Sequence, residues 1–172
     1  MKINKKKFIY LISPNKISKQ FYPNLNKVLG IGKVSFFQLR LKKYSFKQKV
    51  SIGKKIKKIC KKNNVKFLVN DDPMLSKEID ADGCHLGQKD MNIDEARKII
   101  GKKIIGITCH NSIHLAKKAI INKASYIAFG AFYSTKTKKT RYKANIKILN
   151  ITKKITNIPL VAIGGINSKN YK

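Results

Sequence analysis

Seven short apolar runs, rich in β-branched residues, alternate along the chain with longer, lysine-rich amphipathic stretches. Within each run the apolar residues are nearly continuous, which is typical of strands covered on both faces. Alternation of strands and helices at roughly 20 to 30 residues per unit predicts βαβ units and a parallel sheet. The runs are Phe8–Ile12, Val34–Leu39, Phe67–Val69, Gly83–Leu86, Ile104–Thr108, Tyr126–Phe129 and Leu160–Ile163.

Four of the stretches between the runs carry helix signals. The first has apolar residues at helical spacing behind a capping serine, and the second opens with an acidic first turn that suits the helix dipole. The predicted helices are residues 45–62 with Ser45 as the N-cap, a helix opening at Asn92, residues 112–121 capped by Asn111, and residues 145–155 beginning at Asn145.

The number and rhythm of the strands favour an α/β fold of the TIM (β/α)₈ barrel type over a doubly wound sheet. No Gly-x-Gly-x-x-Gly turn follows the first run, which argues against a dinucleotide-binding half. A complete barrel has eight units and usually about 200 or more residues. The 172 residues end soon after the seventh run and a cap-like Asn167. We therefore expect one barrel domain over residues 1–172 that lacks the eighth strand and helix.

The net charge of +31 first raises the question of nucleic acid. Only three of the 39 basic residues are arginines, namely Arg40, Arg97 and Arg141. Proteins that read bases favour arginine, and the lysines here lack interleaved aromatic residues that could stack on bases. We interpret the charge as a solvated surface that attracts anionic substrates. The alternative, a nucleic-acid-binding protein, predicts tight binding with a steep salt dependence.

The three cysteines, Cys60, Cys84 and Cys109, form neither a disulfide framework nor a zinc pattern. The apolar part of the N-terminal region covers only residues 8–12, which is too short for a signal sequence or a membrane span. These features predict a cytoplasmic protein without a membrane partner. They make no prediction of oligomeric state.

All eight acidic residues lie between positions 71 and 95 of this basic chain. Asp71 and Asp72 follow the third run, and Asp90 follows the fourth, so a barrel would place them in neighbouring loops at its catalytic face. Carboxylates that converge beside a phosphate are suitable ligands for Mg²⁺. We predict that Asp71 and Asp90 bind the metal. Helix capping is the alternative for every acid in the cluster, and we assign it to Asp72, Asp94 and Glu95.

Three segments at the ends of runs are candidate anion sites. Strand alternation would direct Gln38, Arg40 and Lys42 to one side as an anion clamp, although an exposed strand end explains the same residues. Residues 134–139 combine hydroxyls, loop N–H groups and lysines, or form a plain polar loop. The glycine pair at 164–165 permits a close approach of phosphate to the backbone, or makes a tight turn.

Two histidines and one cysteine near the run ends receive no catalytic role. His85 lies inside a predicted strand, where a histidine is more often a hydrogen-bonded core residue, and His110 follows the fifth run. Cys109 has no paired histidine that would indicate a nucleophile.

Six motifs occur in order from residue 8 onward at spacings typical of one family. They are Gln38–Leu39–Arg40–x–Lys42, Asn70–Asp71–Asp72, Ala81–Asp82–Gly83–x–His85–Leu86–Gly87–Gln88–x–Asp90, Gly106–Ile107–Thr108–x–His110, Phe129–Gly130–x–Phe132–Tyr133–x–Thr135–x–Thr137–Lys138 and Ile158–Pro159–x–Val161–Ala162–Ile163–Gly164–Gly165–Ile166. With this ordered set the chain resembles the thiamine-phosphate synthase/TenI superfamily.

The resemblance implies a (β/α)₈ barrel that joins hydroxymethylpyrimidine diphosphate to a thiazole phosphate, which gives thiamine phosphate and pyrophosphate. It implies small-molecule substrates and Mg²⁺ held by Asp71 and Asp90. It also implies substrate-binding residues, namely Gln38, Arg40, Lys42, Asn70, Thr108 and Lys138 for the diphosphate, and Thr135, Thr137 and Gly165 for the thiazole phosphate.

The implied mechanism is dissociative and needs no protein nucleophile or strong base, since charge placement stabilises the departing pyrophosphate.

Thr108 stands where the family usually has Ser, and Ser134 replaces the usual Pro before Thr135. Two alternatives remain within the same fold. One is a TenI-like thiazole tautomerase, and the other is an inactive barrel that lacks its eighth unit.

Overall fold

The computed structural model describes residues 8–135 and 141–171. Those residues contain seven β-strands that alternate with six α-helices. The strands are β1 (Ile9–Ile12), β2 (Val34–Leu39), β3 (Lys66–Asn70), β4 (Gly83–Leu86), β5 (Ile104–Thr108), β6 (Tyr126–Gly130) and β7 (Leu160–Ile163). The helices are α1 (Phe21–Gly30), α2 (Phe46–Lys62), α3 (Pro73–Glu78), α4 (Ile93–Ile100), α5 (Ile113–Ile121) and α6 (Ile146–Ile155).

The strands form one sheet in the chain order β1 to β7. In a doubly wound sheet the strand order reverses at a switch point, whereas in a (β/α) barrel each strand lies beside the one that precedes it in the chain. The observed order has no reversal, so the predicted barrel type of α/β fold is confirmed. The chain divides into two compact units, Met1–Cys84 and His85–Lys172.

The first unit is built on the parallel strands β1, β2 and β3. Phe37 of β2 pairs in register with Phe67 of β3, and their rings stack with centroids 6.5 Å apart. Leu29 of α1 and Ile56 of α2 belong to the same buried core. Each such side chain contributes about 1.5 to 3 kcal/mol through its removal from water.

The second unit is built on the parallel strands β5, β6 and β7. Ile105, Ile127 and Phe129 are fully buried, which fits strands covered on both faces. Gly106 of β5 pairs in register with Tyr126 of β6. A side chain at Gly106 would overlap the ring of Tyr126, so the glycine provides the space that the buried tyrosine occupies.

The predicted cap at Ser45 is confirmed, and so are the predicted helix starts at Asn92 and Asn145, which the structure shows to be N-caps. The side chains of Ser45, Asn92 and Asn145 each accept a hydrogen bond from a backbone N–H in the first turn of their helices. The prediction of Asn111 as a cap is wrong, because Ser112 has the extended backbone of an N-cap and its hydroxyl accepts from the N–H of Leu115. The helix therefore begins one residue later than predicted.

Within residues 8–135 and 141–171, no helix is long and apolar enough to cross a bilayer.

Candidate active site

Gln38 lies at the C-terminal end of β2 with its side chain buried. Its Nε2 donates a hydrogen bond to the hydroxyl of Tyr10 on the paired strand β1, at 2.9 Å. The carbonyl of Gln38 accepts from the backbone N–H of Ser13. The side-chain amide of Gln38 is therefore held in one orientation by Tyr10, which suits a residue that aligns a ligand.

Arg40 and Lys42 lie beyond the end of β2. The strand stops at Leu39, so the predicted strand alternation does not extend to these two residues. The backbone N–H of Arg40 donates to the Ser13 hydroxyl at 2.9 Å, and its guanidinium Nη1 lies 3.5 Å from Oδ1 of Asn15. Arg40 is half-buried and Lys42 is exposed. Arg40 and Lys42 thus follow the buried Gln38 in the chain, and each is more exposed to solvent than Gln38.

Asn70 and Asp71 lie where β3 ends, and both are half-buried. Asp71 has a φ of +64°, in the left-handed region that residues with a Cβ seldom adopt. Backbone strain of this kind costs about 1 to 3 kcal/mol and is concentrated at functional sites. The next residue, Asp72, caps α3 by accepting from the N–H of Leu75, so its assignment to a cap is confirmed.

Asp90 lies in the loop between β4 and α4 and is exposed. Its Oδ2 accepts a 2.7 Å hydrogen bond from the backbone N–H of Gly87. A Cβ at position 87 would lie 2.9 Å from the same oxygen, so glycine permits this close approach. Among the described residues only Oδ2 has a hydrogen-bonding partner, which leaves Oδ1 for a ligand. The described residues contain no group of three or more metal-ligating side chains.

Thr108 ends β5 and joins two hydrogen bonds that the sequence did not predict. Its hydroxyl lies 2.8 Å from Nε2 of His85, and its carbonyl accepts from Nε2 of Gln88 at 2.6 Å. Nδ1 of His85 lies 2.7 Å from the hydroxyl of Tyr126. His85 is buried, so its interpretation as a hydrogen-bonded core residue is confirmed.

The loop after β6 is joined to the loop after β7 by backbone hydrogen bonds. The N–H of Phe132 donates to the carbonyl of Ile163, and the N–H of Tyr133 donates to the carbonyl of Gly164. These bonds set the chain that leads into the half-buried Thr135. The predicted ligands Thr137 and Lys138 lie outside the described residues.

Gly165 has a φ of +68°, and a Cβ there would lie 2.4 Å from the carbonyl oxygen of Ser134. Both the conformation and the close approach therefore require glycine. Its carbonyl accepts from the side-chain amides of Asn167 and Asn170. The turn after β7 is thus held in a fixed shape, as a backbone anion site requires.

The buried thiols are poor nucleophiles. Burial raises the pKa of Cys109 to about 12, and burial together with the nearby carboxylate of Asp82 raises the pKa of Cys60 to about 12. The thiolate is the reactive form of cysteine. The surroundings of both thiols therefore agree with a site that uses no cysteine nucleophile.

Sequence reasoning missed two tyrosines, Tyr10 and Tyr126, which hydrogen-bond to the motif residues Gln38 and His85. Both lie within predicted strands, and the strand pattern does not distinguish a packed aromatic ring from one whose hydroxyl has a hydrogen-bonding role. The glycine at position 106, opposite Tyr126, is the one signal that marks a special contact.

Comparison with known proteins agrees with this arrangement. A family model described as thiamine monophosphate synthase matches residues 9–172. A thiamine-phosphate synthase of Pelagibacter ubique is 63% identical over 100% of this chain and 84% of its own length. One of Nitrosomonas eutropha is 43% identical over 81% of this chain and 66% of its own length.

Among solved structures, a thiamine phosphate pyrophosphorylase from Pyrococcus furiosus superposes with a TM-score of 0.82 at 28% identity. That match covers 95% of this chain and 77% of the other. The matched family model, the 63% identity and the structural superposition all agree, and this chain therefore belongs to the thiamine monophosphate synthase family.

Proposed function

We propose that this chain is a thiamine-phosphate synthase, a transferase that joins hydroxymethylpyrimidine diphosphate to thiazole phosphate and releases pyrophosphate. The identity of 63% to a curated thiamine-phosphate synthase over the whole chain carries the proposal. The chain also carries polar residues at the C-terminal ends of β2, β3 and β5 and a glycine pair after β7, which is the end of the strands where barrel enzymes bind their ligands.

In this proposal six residues bind the diphosphate end of the pyrimidine substrate, namely Gln38, Arg40, Lys42, Asn70, Thr108 and Lys138. The guanidinium of Arg40 can hold two phosphate oxygens at once, and Lys42 adds a point charge. Gln38 is already fixed by Tyr10, so its amide loses little freedom when the ligand binds.

The diphosphate substrate and the carboxylates of Asp71 and Asp90 call for Mg²⁺, with both residues as ligands. The donor set fits this ion, because Mg²⁺ prefers oxygen ligands and is commonly held by one or two carboxylates plus substrate phosphates. Two protein carboxylates therefore suffice, and no third ligating side chain is needed. When bound, the ion neutralises the charge that develops on the departing pyrophosphate.

Thr135 and Thr137 bind the thiazole phosphate with the backbone N–H groups at Gly165. The positive φ angles of Gly164 and Gly165 support this assignment, because successive backbone N–H groups in such turns form concave anion sites. The surplus of 31 positive charges raises the local concentration of both phosphorylated substrates. Both partners in this proposal are small molecules, with neither nucleic acid nor membrane involved.

We also propose that residues 1–172 act as a single barrel domain in the cytoplasm. Cys60 and Cys109 are buried free thiols, as in a reducing compartment. Limited proteolysis tests the domain proposal, since a single domain gives no stable half-length fragments.

The direct test measures pyrophosphate release by the purified protein from the two substrates, with Mg²⁺ and with EDTA. We expect release that requires both substrates and the metal. Aromatisation of the thiazole without release would instead identify a tautomerase, and a cooperatively melting protein with no turnover would identify an inactive barrel.

Variants of the two proposed metal ligands sharpen the test. Asp71→Asn and Asp90→Asn should each raise the Mg²⁺ concentration needed for half-maximal rate. Asp94→Asn is the matched control, because Asp94 is exposed in the first turn of α4 and has no role in the proposal. An equal effect in all three variants would contradict the ligand assignment.

A further inference from the structure

Three side chains on neighbouring strands of the second unit form a continuous hydrogen-bonded row. The hydroxyl of Tyr126 on β6 lies 2.7 Å from Nδ1 of His85, and Nε2 of His85 lies 2.8 Å from the hydroxyl of Thr108. Tyr126 and His85 are buried, whereas Thr108 at the end of β5 is half-buried. The row therefore leads from the interior to a residue that can reach a ligand.

The row requires a glycine at position 106 of β5. A Cβ at Gly106 would lie 1.8 Å from Cζ of Tyr126, so only glycine lets the ring cross β5 toward His85. The tyrosine ring then stacks on the imidazole, with centroids 5.6 Å apart and an interplanar angle of 20°. Stacking and hydrogen bonding together fix the position of the imidazole.

With a neutral imidazole, the hydrogen bonds of the row can be directed in two self-consistent ways. In one, the tyrosine donates to Nδ1 and Nε2–H donates to Thr108, whose own proton then points to another acceptor. In the other, Thr108 donates to Nε2 and turns only lone pairs toward a ligand. An oxyanion is attracted by the first form and repelled by the second.

The chemistry of the two hydroxyls favours the first form. A phenol is the stronger hydrogen-bond donor and the weaker acceptor, since its pKa of about 10 lies far below that of an aliphatic hydroxyl. A tyrosine that donates to Nδ1 of His85 leaves the imidazole proton on Nε2, because in its neutral state one ring nitrogen accepts and the other donates.

We propose that Tyr126 is a positioning residue that acts through His85 to hold the Thr108 hydroxyl as a hydrogen-bond donor to an oxyanion of the substrate. The proposal rests on the proposed function in one respect, the assignment of Thr108 to the diphosphate. Neither Tyr126 nor His85 needs to touch the substrate or to exchange a proton with it.

The first experiment reads the tautomer directly and needs no activity. The ¹⁵N shifts of the His85 ring, assigned with a His85→Gln variant, distinguish Nε2–H from Nδ1–H. We expect the Nε2–H form in the native protein and a loss of that preference in Tyr126→Phe. A native Nδ1–H form, or an unchanged tautomer in the variant, would overturn the proposal whether or not the chain is a synthase.

The second experiment is a kinetic double-mutant cycle. Tyr126→Phe keeps the ring and removes one oxygen, and we expect it to lower kcat/KM by about 2- to 10-fold, as for one neutral hydrogen bond. Thr108→Val should lower it by about 10- to 100-fold, as for a bond to a charged group. In the Thr108→Val background the added Tyr126→Phe change should have no further effect.

An equal loss from Tyr126→Phe in both backgrounds would mean a merely structural role and would overturn the proposal. Tyr171→Phe is the matched control, since Tyr171 is exposed near the end of the chain and should leave the rate unchanged. If no turnover is found in any form, binding of inorganic pyrophosphate with Mg²⁺ replaces kcat/KM in the same cycle. The binding measurement then tests the role of Tyr126 and His85 even if the proposed function is wrong.

Discussion

The contact between Gly106 and Tyr126 predicts that Gly106→Ala is strongly destabilising. The new Cβ would lie 1.8 Å from Cζ of the tyrosine ring, whereas ordinary van der Waals contact begins near 3.4 Å. The ring must therefore move by about 1.6 Å in a core that packs as densely as a crystal. Such a shift carries the tyrosine hydroxyl out of hydrogen-bonding range of His85.

The magnitude follows from three contributions. Overpacking a core costs about 1 to 3 kcal/mol, and a buried polar group that loses its partner costs about 1 to 3 kcal/mol. Lower entropy of the unfolded chain offsets about 0.4 to 1 kcal/mol when Gly becomes Ala. We expect Gly106→Ala to lower the free energy of unfolding by about 1 to 6 kcal/mol.

Urea unfolding followed by far-UV circular dichroism measures this loss, provided that the slope m stays unchanged. Gly30→Ala is the matched control. Gly30 ends α1, and a Cβ there would lie 3.5 Å from Oδ1 of Asn63, which is ordinary contact. We expect the control to be neutral or up to about 1 kcal/mol more stable. A loss below about 0.5 kcal/mol in Gly106→Ala would refute the packing argument.

Three further predictions test other contacts. Because burial raises the pKa values of Cys60 and Cys109 to about 12, both thiols should react with a disulfide reagent at pH 8 only as fast as the protein opens, and rapid labelling of native protein would contradict this. The free energy of unfolding should also fall as the pH rises from 9.0 toward 12, because the thiols then ionise in the unfolded chain but not in the folded one. Asp72→Ala removes the cap of α3 and should cost about 1 kcal/mol in the same urea assay, with Asp72→Asn close to native. Asp82→Asn breaks an ion pair in which Lys66 is exposed and Asp82 is half-buried, while the amide oxygen can still accept from the N–H of Phe67. We expect a cost of less than about 1 kcal/mol that disappears in high salt, whereas a larger loss would mean that the pair is shielded from solvent.

The strands were predictable from the sequence because both of their faces are covered. Continuous apolar runs predicted β2, β4, β5 and β7 with the observed bounds. β1 and β6 differ by one residue at one end, and β3 extends one residue further at each end. Helix starts were less certain where two capping residues are adjacent. At Asn111 and Ser112 either side chain could accept from the first turn, and only the backbone conformation decides between them.

The positions of the candidate site residues were predictable, but their environments were not. Charge and polarity at the ends of runs identified Gln38 and Arg40 as a pair, since an arginine is rare in this chain. The sequence does not reveal that Gln38 is buried against Tyr10 while Arg40 lies beyond the strand. That difference depends on the register between β1 and β2, which local sequence does not determine.

The row that ends at Thr108 shows how such register can be inferred from residue size. In a sheet covered on both faces, a glycine in a strand interior weakens the strand unless a neighbour fills the space. The first residue of β6 is a large, polar-tipped tyrosine, and the register places it opposite Gly106. Its hydroxyl must find a partner once buried, and the histidine of β4 is the partner that the structure provides. A glycine in one apolar run and a tyrosine in the next are thus a joint signal of a buried polar contact once the register that places them opposite each other is known.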